Sequence, residues 1–61
     1  SRDLYTAIDY LSLDPDIYAV VCEKLLVGFE VTAMCPHVVM ERGHRKISIH
    51  NETTHVIIKE P

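Results

Sequence analysis

An apolar segment behind a helix-start signal is the feature of this sequence that most constrains the fold. Asp14-Pro15-Asp16 precedes the thirteen residues 17–29, of which only Glu23 and Lys24 are charged. Proline fits the first turn of a helix and a preceding Asp can cap it, so we predict a helix from Pro15 to about Val27. Because this helix is apolar on most sides, we expect it to pack against partners on more than one side.

The short chain limits how much surface one core can bury. The sequence has 61 residues, which make a single domain, and a domain of about 60 residues buries only about 60% of the surface that its unfolded chain exposes. A second subunit would supply further burial. We therefore expect a homo-oligomer or a subunit docked on a protein partner, with Tyr18, Val21 and Leu25 of the apolar helix in the interface.

Composition and cysteine content favour an ordinary intracellular domain. The hydrophobic fraction of 48% and the charged fraction of 25% are typical of a globular chain rather than a disordered one. No apolar run approaches the roughly 20 residues that cross a bilayer. Cys22 and Cys35 are too few for a disulfide framework, so we predict a soluble, cytoplasmic protein with reduced thiols and no membrane segment. The glycosylation pattern Asn51-Glu52-Thr53 leaves a secreted protein as the alternative.

Two further elements follow from hydrophobic periodicity. Apolar residues at helical spacing predict an amphipathic first helix that ends near Leu13. The apolar face of this helix consists of Leu4, Ala7, Ile8 and Leu11. Beyond the second helix the period changes to two, and the alternation from Phe29 to Ala33 predicts a strand that Pro36 interrupts.

Residues 36–42 fit two structures. They can continue as a strand with Pro36 at an edge or a bulge, or they can form a short helix with Pro36 in its first turn and Gly43 as its stop. The two structures lead to different folds, because a third helix before a hairpin is the order of helix-turn-helix proteins with a β-wing. The sequence leaves this choice open.

The last third of the chain predicts a β-hairpin. Residues 45–50 and 55–60 alternate as strands around a turn. The predicted pairs are 50 with 55, 48 with 57 and 46 with 59. This register places four apolar side chains on one face, namely Ile47, Ile49, Val56 and Ile58. It also brings Arg45 to Glu60 at the open end of the hairpin.

Together these elements predict an α+β domain that spans residues 1–61. Two N-terminal helices pack on a small antiparallel sheet of two to three strands, and the sheet ends in the C-terminal β-hairpin. The predicted core consists of Leu4, Ile8, Leu11, Ile17, Val21, Leu25, Phe29, Val31, Ile47, Ile49, Val56 and Ile58.

Charge is uneven along the chain. The first thirty residues carry six acidic and two basic side chains, whereas the rest carry three acidic side chains, four basic ones and four histidines. The predicted hairpin sets Lys46 opposite Lys59 and His50 opposite His55, and like charges across a strand pair are unfavourable unless an anion neutralises them. We therefore predict a cationic, pH-sensitive surface for an acidic partner or phosphate. It is formed by Arg42, His44, Arg45, Lys46 and Lys59. The alternative is a solvated outer face.

No motif in the sequence predicts catalysis or a cofactor. The chain has only two glycines, Gly28 and Gly43, so a glycine-rich phosphate loop is excluded. Cys35 and His37 are side-chain types that zinc binds, but their spacing matches no common zinc-ligand pattern. A Cys–His catalytic pair also needs an orienting group and a water-excluding pocket, which so short a chain rarely supplies. We expect no enzyme activity, no metal, no cofactor and no small-molecule substrate.

Two functions are compatible with these features. The first is a small non-enzymatic protein-interaction or regulatory module that self-associates or belongs to a larger complex. The alternative is a nucleic-acid-binding transcriptional regulator, in which residues 36–42 form the recognition helix and the C-terminal hairpin forms the β-wing. The net charge of −3 opposes the alternative, since nucleic-acid binders rely on an excess of cations.

Overall fold

The computed structural model describes residues 13–61, which form one α-helix and a four-stranded antiparallel sheet. The elements are α1 (Pro15–Leu26), β1 (Glu30–Ala33), β2 (Val38–Arg42), β3 (Arg45–Asn51) and β4 (Val56–Lys59). The α+β class is therefore confirmed, and α1 is the predicted second helix. The predicted first helix, with its core residues Leu4, Ile8 and Leu11, lies outside the described residues.

Helix α1 begins where the sequence predicts. The side chain of Asp14 caps it, because the backbone N–H of Asp16 donates to Asp14 Oδ1 at 2.9 Å, and Pro15 occupies the first turn. Both residue types favour these positions, since Asp supplies an acceptor and Pro lacks an N–H that the first turn would leave unpaired. The negative charge of Asp16 also lies at the positive end of the helix dipole.

A glycine ends helix α1 and turns the chain into strand β1. Gly28 adopts a positive φ of 96°, which is costly for other residues. The N–H groups of Gly28 and Phe29 donate to the carbonyls of Leu25 and Lys24 at 3.1 and 3.0 Å, respectively. These two bonds form a Schellman motif, which satisfies carbonyls that the helix end would otherwise leave unpaired.

The sheet has four strands rather than the predicted two to three. Its order is β1-β2-β3-β4, and each strand pairs antiparallel with its neighbour in the sequence. The additional strand is β2, so most of the segment 36–42 is strand and not helix. In β2 the buried Val38 and Met40 alternate with the half-buried Val39 and Glu41, as expected for a strand with one face on a core.

Gly43 enables the tight turn between β2 and β3. The loop consists of Gly43 and His44, and the paired residues Arg42 and Arg45 flank it. Gly43 has φ +59°, which a type II′ turn requires at its first central position. Gly43 is therefore a hairpin residue and not the stop of a short helix.

The C-terminal hairpin is confirmed, but its register differs from the prediction by two residues. Ser48 pairs with Lys59, and Asn51 pairs with Val56. The predicted pairs 50–55, 48–57 and 46–59 are therefore wrong. Each strand side chain still lies on its predicted face, because side chains alternate with a period of two and a shift of two preserves the faces.

The turn of this hairpin lies one residue later in the chain than predicted. The backbone N–H of Glu52 donates to the carbonyl of His55 at 2.8 Å, which leaves Thr53 and Thr54 at the tip. The predicted contact between His50 and His55 is absent from this hairpin because His50 faces Ile57 instead. The sequence lacks the Asn-Gly or Asp-Gly pair that would have marked the tip.

The core lies between helix α1 and one face of the sheet. Its buried residues are Ile17, Val21, Phe29, Val38, Met40, Ile47 and Ile49. Five of these seven belong to the predicted core, whereas Val38 and Met40 enter it because residues 38–42 form a central strand. Helix α1 contacts both β3 and β4, so it crosses the C-terminal half of the sheet.

The rim of the core differs from the prediction at one position. The predicted core residues Leu25, Val31 and Val56 are half-buried and pack against the buried cluster. Ile58 is 42% exposed, so its assignment to the core is wrong, because β4 is an edge strand that the helix covers only in part. The predicted meeting of Arg45 and Glu60 is confirmed as an ion pair.

Candidate functional site

Within residues 13–61, no helix or strand packs on the sheet face opposite α1, and we call this face the outer face. Strand side chains alternate between the two faces of a sheet. The register assigns to the outer face Glu30, Ala33, Val39, Glu41, Lys46, Ser48, His50, Ile57 and Lys59. A bulge between Val31 and Ala33 puts Ala33 on this face rather than on the face of Val31, where the alternation predicts it. Thr32, within the bulge, also reaches this face, because its hydroxyl donates to Glu41. The outer face thus collects charged side chains of both signs and two neutral hydroxyl groups.

The two predicted arginines, Arg42 and Arg45, lie on the helix side of the sheet. Their guanidinium carbons are 4.9 and 5.3 Å from the centre of the Phe29 ring. Arg42 Nη1 donates to the carbonyl of Val27 at 2.6 Å. Arg45 donates from Nε and Nη2 to the carboxylate of Glu60, which lowers the pKa of Glu60 and raises the pKa of Arg45. Both arginines are therefore engaged in holding the fold together.

The two predicted lysines line an open pocket on the outer face. This pocket has a volume of about 380 Å³, and we call it the outer pocket. Its polar lining consists of His37, Lys46, Ser48, Lys59 and Glu60. The predicted cationic surface is therefore divided. Lys46 and Lys59 meet at the outer pocket, Arg42 and Arg45 lie on the opposite side of the sheet, and His44 is exposed in the turn between β2 and β3.

A histidine pair adjoins the outer pocket. The ring centres of His37 and His50 are 4.2 Å apart, and Ser48 Oγ lies 2.9 Å from His50 Nε2. Burial lowers the pKa of His50 from its usual value, and the neighbouring His37 and Lys59 lower it further, while Glu52 raises it. The imidazole of His50 is therefore held in its neutral form to lower pH than a free histidine.

His37 and Ser48 are not among the site residues that the sequence predicts. Ser48 faces Lys59 only in the observed register, and His37 reaches His50 from the connection between β1 and β2. The alternation along β3, which puts Lys46, Ser48 and His50 on one face, is a signal that could have found Ser48. No local signal marks the approach of His37, because it depends on the path of a loop.

We expect His50 to make the folded chain less stable as the pH falls. The pKa of His50 is lowered from 6.5 in the folded state, so the unfolded state takes up the proton more readily. The stability from neutral His50 is fully present above about pH 6.5 and is lost as the pH falls through the folded-state pKa. The thermal midpoint of His50→Gln should therefore depend less on pH between about 7.5 and 5 than that of the unchanged chain.

Circular dichroism at each pH measures these midpoints. His44→Gln is the matched control, because it removes an exposed histidine from a turn and should keep the pH dependence of the unchanged chain. The same pH dependence in His50→Gln and in the unchanged chain would contradict the assignment to His50.

The predicted interface residues on helix α1 have little free surface. Val21 has no exposed surface and lies in the core, and Tyr18 and Leu25 are half-buried. Val21 can therefore support an interface only by holding α1 against the sheet. The large apolar side chains that are exposed in the described part of the chain are Leu26, Val27 and Ile58, at 87%, 52% and 42%. The predicted self-association is not tested by a single chain and stays a prediction.

Metal-binding side chains are dispersed in the described part of the chain. Among residues 13–61, no group of three or more His, Cys, Asp or Glu side chains is placed to hold a metal ion. Cys22 is a half-buried free thiol and Cys35 an exposed one. Ser48 and His50 bring a hydroxyl beside an imidazole, but a nucleophile also needs a group that orients its base. The expectation that the chain is not an enzyme and has no cofactor stays a prediction.

Helix α1, the helix of the described range 13–61, has 12 residues and does not reach the length that a membrane crossing needs. Comparison of the chain with protein-family models, with curated proteins and with solved structures gives no match.

Proposed function

We propose that this chain is a non-enzymatic protein-interaction module that binds an acidic segment of a protein partner at its outer pocket. The observation that carries the proposal is the pair Lys46 and Lys59, which line one open pocket beside His37 and Ser48. Ammonium and hydroxyl groups donate hydrogen bonds that carboxylates accept. An acidic segment therefore matches the donors that converge on this pocket.

The acidic residues beside the outer pocket already have partners within the chain. Glu60 is bound to Arg45. Glu41 accepts a hydrogen bond from Thr32 Oγ1 at 2.9 Å and lies across from Lys46 in the ladder between β2 and β3. Lys46 therefore has an acidic neighbour, whereas Lys59 pairs with neutral Ser48 and should contribute more to anion binding.

The overall negative charge does not prevent an acidic partner from binding. The net charge is −3, but the Debye length is only about 8 Å at physiological ionic strength. Exposed carboxylates beyond this distance are largely screened from the pocket, so the local lysines decide the interaction. Because surface charges act at short range here, binding should weaken as salt is added.

The nucleic-acid alternative has less support from the described residues. Residues 38–42 form strand β2, so the third helix of a helix-turn-helix with a β-wing is not formed there. Arg42 and Arg45 are engaged with Val27 and Glu60, and phosphate contacts would have to displace these bonds. The binding experiment for the proposed function therefore includes duplex DNA as a second ligand.

Self-association is a separate prediction, and it concerns a surface other than the outer pocket. Leu26 and Val27, at the end of α1, are 87% and 52% exposed, and adjacent exposed apolar side chains can form part of a protein–protein contact. Sedimentation of the chain alone tests it. A monomer across a hundredfold concentration range would contradict it without affecting the proposal for the outer pocket.

The test of the proposed function is the binding of a fluorescent peptide rich in Glu and Asp, measured by anisotropy at about 0.05 M and 0.15 M salt. We expect saturable binding that weakens with salt. Lys59→Glu should weaken it about tenfold or more, since it replaces an attractive charge by a repulsive one. Ala19→Glu also adds a negative charge, at an exposed position of helix α1, and should bind within about twofold of the unchanged chain.

Three outcomes would contradict the proposal. Equal weakening of peptide binding in the two variants would show that only net charge matters. Absence of saturable binding at low salt would show that the chain does not bind the acidic peptide. Tighter binding of duplex DNA than of the peptide, lost in Lys59→Glu, would favour the nucleic-acid alternative. Both variants must keep the circular dichroism spectrum of the unchanged chain.

A further inference from the structure

We infer that the outer pocket binds a phosphoryl group, carried by a phosphorylated serine or threonine within the acidic segment of the partner. That the phosphoryl group comes from a protein partner rests on the proposed function. The affinity of the pocket for a phosphoryl group does not, because the binding of small inorganic dianions can be measured without a partner.

Hydrogen-bond donors reach the outer pocket from three directions. Lys46 and Ser48 lie two residues apart on β3, which is about 7 Å along a strand, and Lys59 lies directly across from Ser48 on β4. His37 lines the pocket from the connection between β1 and β2. A phosphoryl group presents three strong acceptor oxygens, so it can use donors on three sides, whereas a planar carboxylate presents two oxygens.

The charge of the pocket also suits a phosphoryl group better than one carboxylate. A phosphorylated serine or threonine carries about −1.5 to −2 charges at neutral pH. Lys46 and Lys59 supply two positive charges at the pocket, and Glu41, the acidic neighbour of Lys46, is not part of its lining. The carboxylate of Glu60 is bound to Arg45. One phosphoryl group can therefore balance both lysines, while one carboxylate can balance only one of them.

Ser48 links the pocket to the histidine pair. Its Oγ lies 2.9 Å from His50 Nε2 and 3.5 Å from the carbonyl of Lys59, which is a long hydrogen bond. When His50 carries a proton on Nε2, it donates to Ser48 Oγ, and the Ser48 hydroxyl is free to donate to a phosphoryl oxygen. The charged groups that act on His50 are His37, Lys59 and Glu52, and a bound dianion beside Lys59 favours the protonated imidazole.

The first test titrates the chain with inorganic phosphate and with sulfate. The ring-proton NMR signals of the histidines report the binding. Sulfate stays a dianion across the range used, so it separates titration of the protein from titration of phosphate. We expect saturable shifts of the His37 and His50 signals, with the His44 and His55 signals unchanged. Sulfate should bind more tightly as the pH falls from about 7.5 to 5, because protonated His50 leaves the Ser48 hydroxyl free for the anion.

Matched variants locate this binding at the outer pocket. Lys59→Gln and Ser48→Ala should each weaken sulfate binding about tenfold, as expected for loss of a hydrogen bond to a charged group. Ala19→Glu makes the same change of net charge as Lys59→Gln, at an exposed position of helix α1, and should keep the affinity of the unchanged chain. Absence of shifts at every histidine, or equal weakening in Lys59→Gln and Ala19→Glu, would overturn the inference whatever the peptides do.

The second test compares three acidic peptides that differ only in a central Ser, Glu or phosphoserine. We expect the phosphoserine peptide to bind about tenfold more tightly than the Glu peptide, and Ser48→Ala to reduce this difference. Equal binding of the Glu and phosphoserine peptides would overturn the inference and leave the proposed function standing. Binding of sulfate but of no peptide would overturn the proposed function and support the phosphoryl site.

Discussion

Val21→Asp is expected to leave the chain unfolded at 25 °C. Val21 has no exposed surface and lies in a cluster that, among the described residues, contains no buried polar side chain. An unpaired carboxylate in such surroundings costs several kcal/mol. A chain of 61 residues has a total stability of about 3–9 kcal/mol at the usual range per residue. The substitution therefore removes about as much free energy as the whole fold provides.

Far-UV circular dichroism and urea unfolding measure this effect. Ala19→Asp is the matched control, because Ala19 is exposed on the same helix and the change of charge is the same. Leu25→Asp should cost less than Val21→Asp, because Leu25 is only half-buried at the rim of the core. A cooperative thermal transition in Val21→Asp near that of the unchanged chain would contradict the central position of α1.

Phe29→Ala is expected to lower the free energy of unfolding by about 3–5 kcal/mol. Phe29 is 2% exposed and joins the end of α1 to the sheet. The charged ends of Lys24, Arg42 and Arg45 lie 5.8, 4.9 and 5.3 Å from the ring centre. Each such cation contributes about 0.5–1 kcal/mol at an exposed site, so loss of the buried ring itself dominates the effect.

Urea unfolding of Phe29→Ala and Phe29→Leu separates the two contributions. Leucine keeps most of the apolar volume but has no aromatic face for the three cations, so Phe29→Leu should cost less than Phe29→Ala, about 1.5–3 kcal/mol at 0.5–1 kcal/mol for each cation. A loss of less than about 1 kcal/mol in Phe29→Ala would show that the ring is not the link between α1 and the sheet.

The parts of the fold that the sequence predicts correctly depend on local signals. Asp14 and Pro15 mark the start of α1, and Gly28 marks its end. Each of these residues favours its position through the conformation or the hydrogen bonds of the adjacent backbone. The faces of the C-terminal hairpin are also predicted correctly, since a period of two is visible in the residues themselves. These features need no knowledge of what lies across the sheet.

The parts that the sequence does not predict depend on contacts between segments. Residues 38–42 alternate well enough for a strand, but Pro36 and Gly43 also fit the ends of a short helix. The shift of two residues in the last hairpin follows from a Thr53-Thr54 tip that carries no strong turn signal.

The candidate site is predicted only in part for the same reason. Lys46 and Lys59 are correctly identified as outer-face residues, but pairing decides that Ser48, and not Lys46, faces Lys59. Arg42 and Arg45 fall on the helix side because their strand positions match those of Met40 and Ile47. Side-chain type alone cannot separate arginines that bind an anion from arginines that cover an aromatic ring.

The sheet order β1-β2-β3-β4 keeps the conformational entropy cost of strand pairing low. Each strand pairs with its neighbour in the chain, so each pairing closes only a short loop and costs little chain entropy. Helix α1 precedes β1 but packs across β3 and β4, so its docking closes the longest loop of the described residues. Burial of Met40 and Ile47 beneath the helix therefore depends on the contact that closes the longest loop, and variants at these positions should act mainly through the docking of α1 rather than through the hairpins.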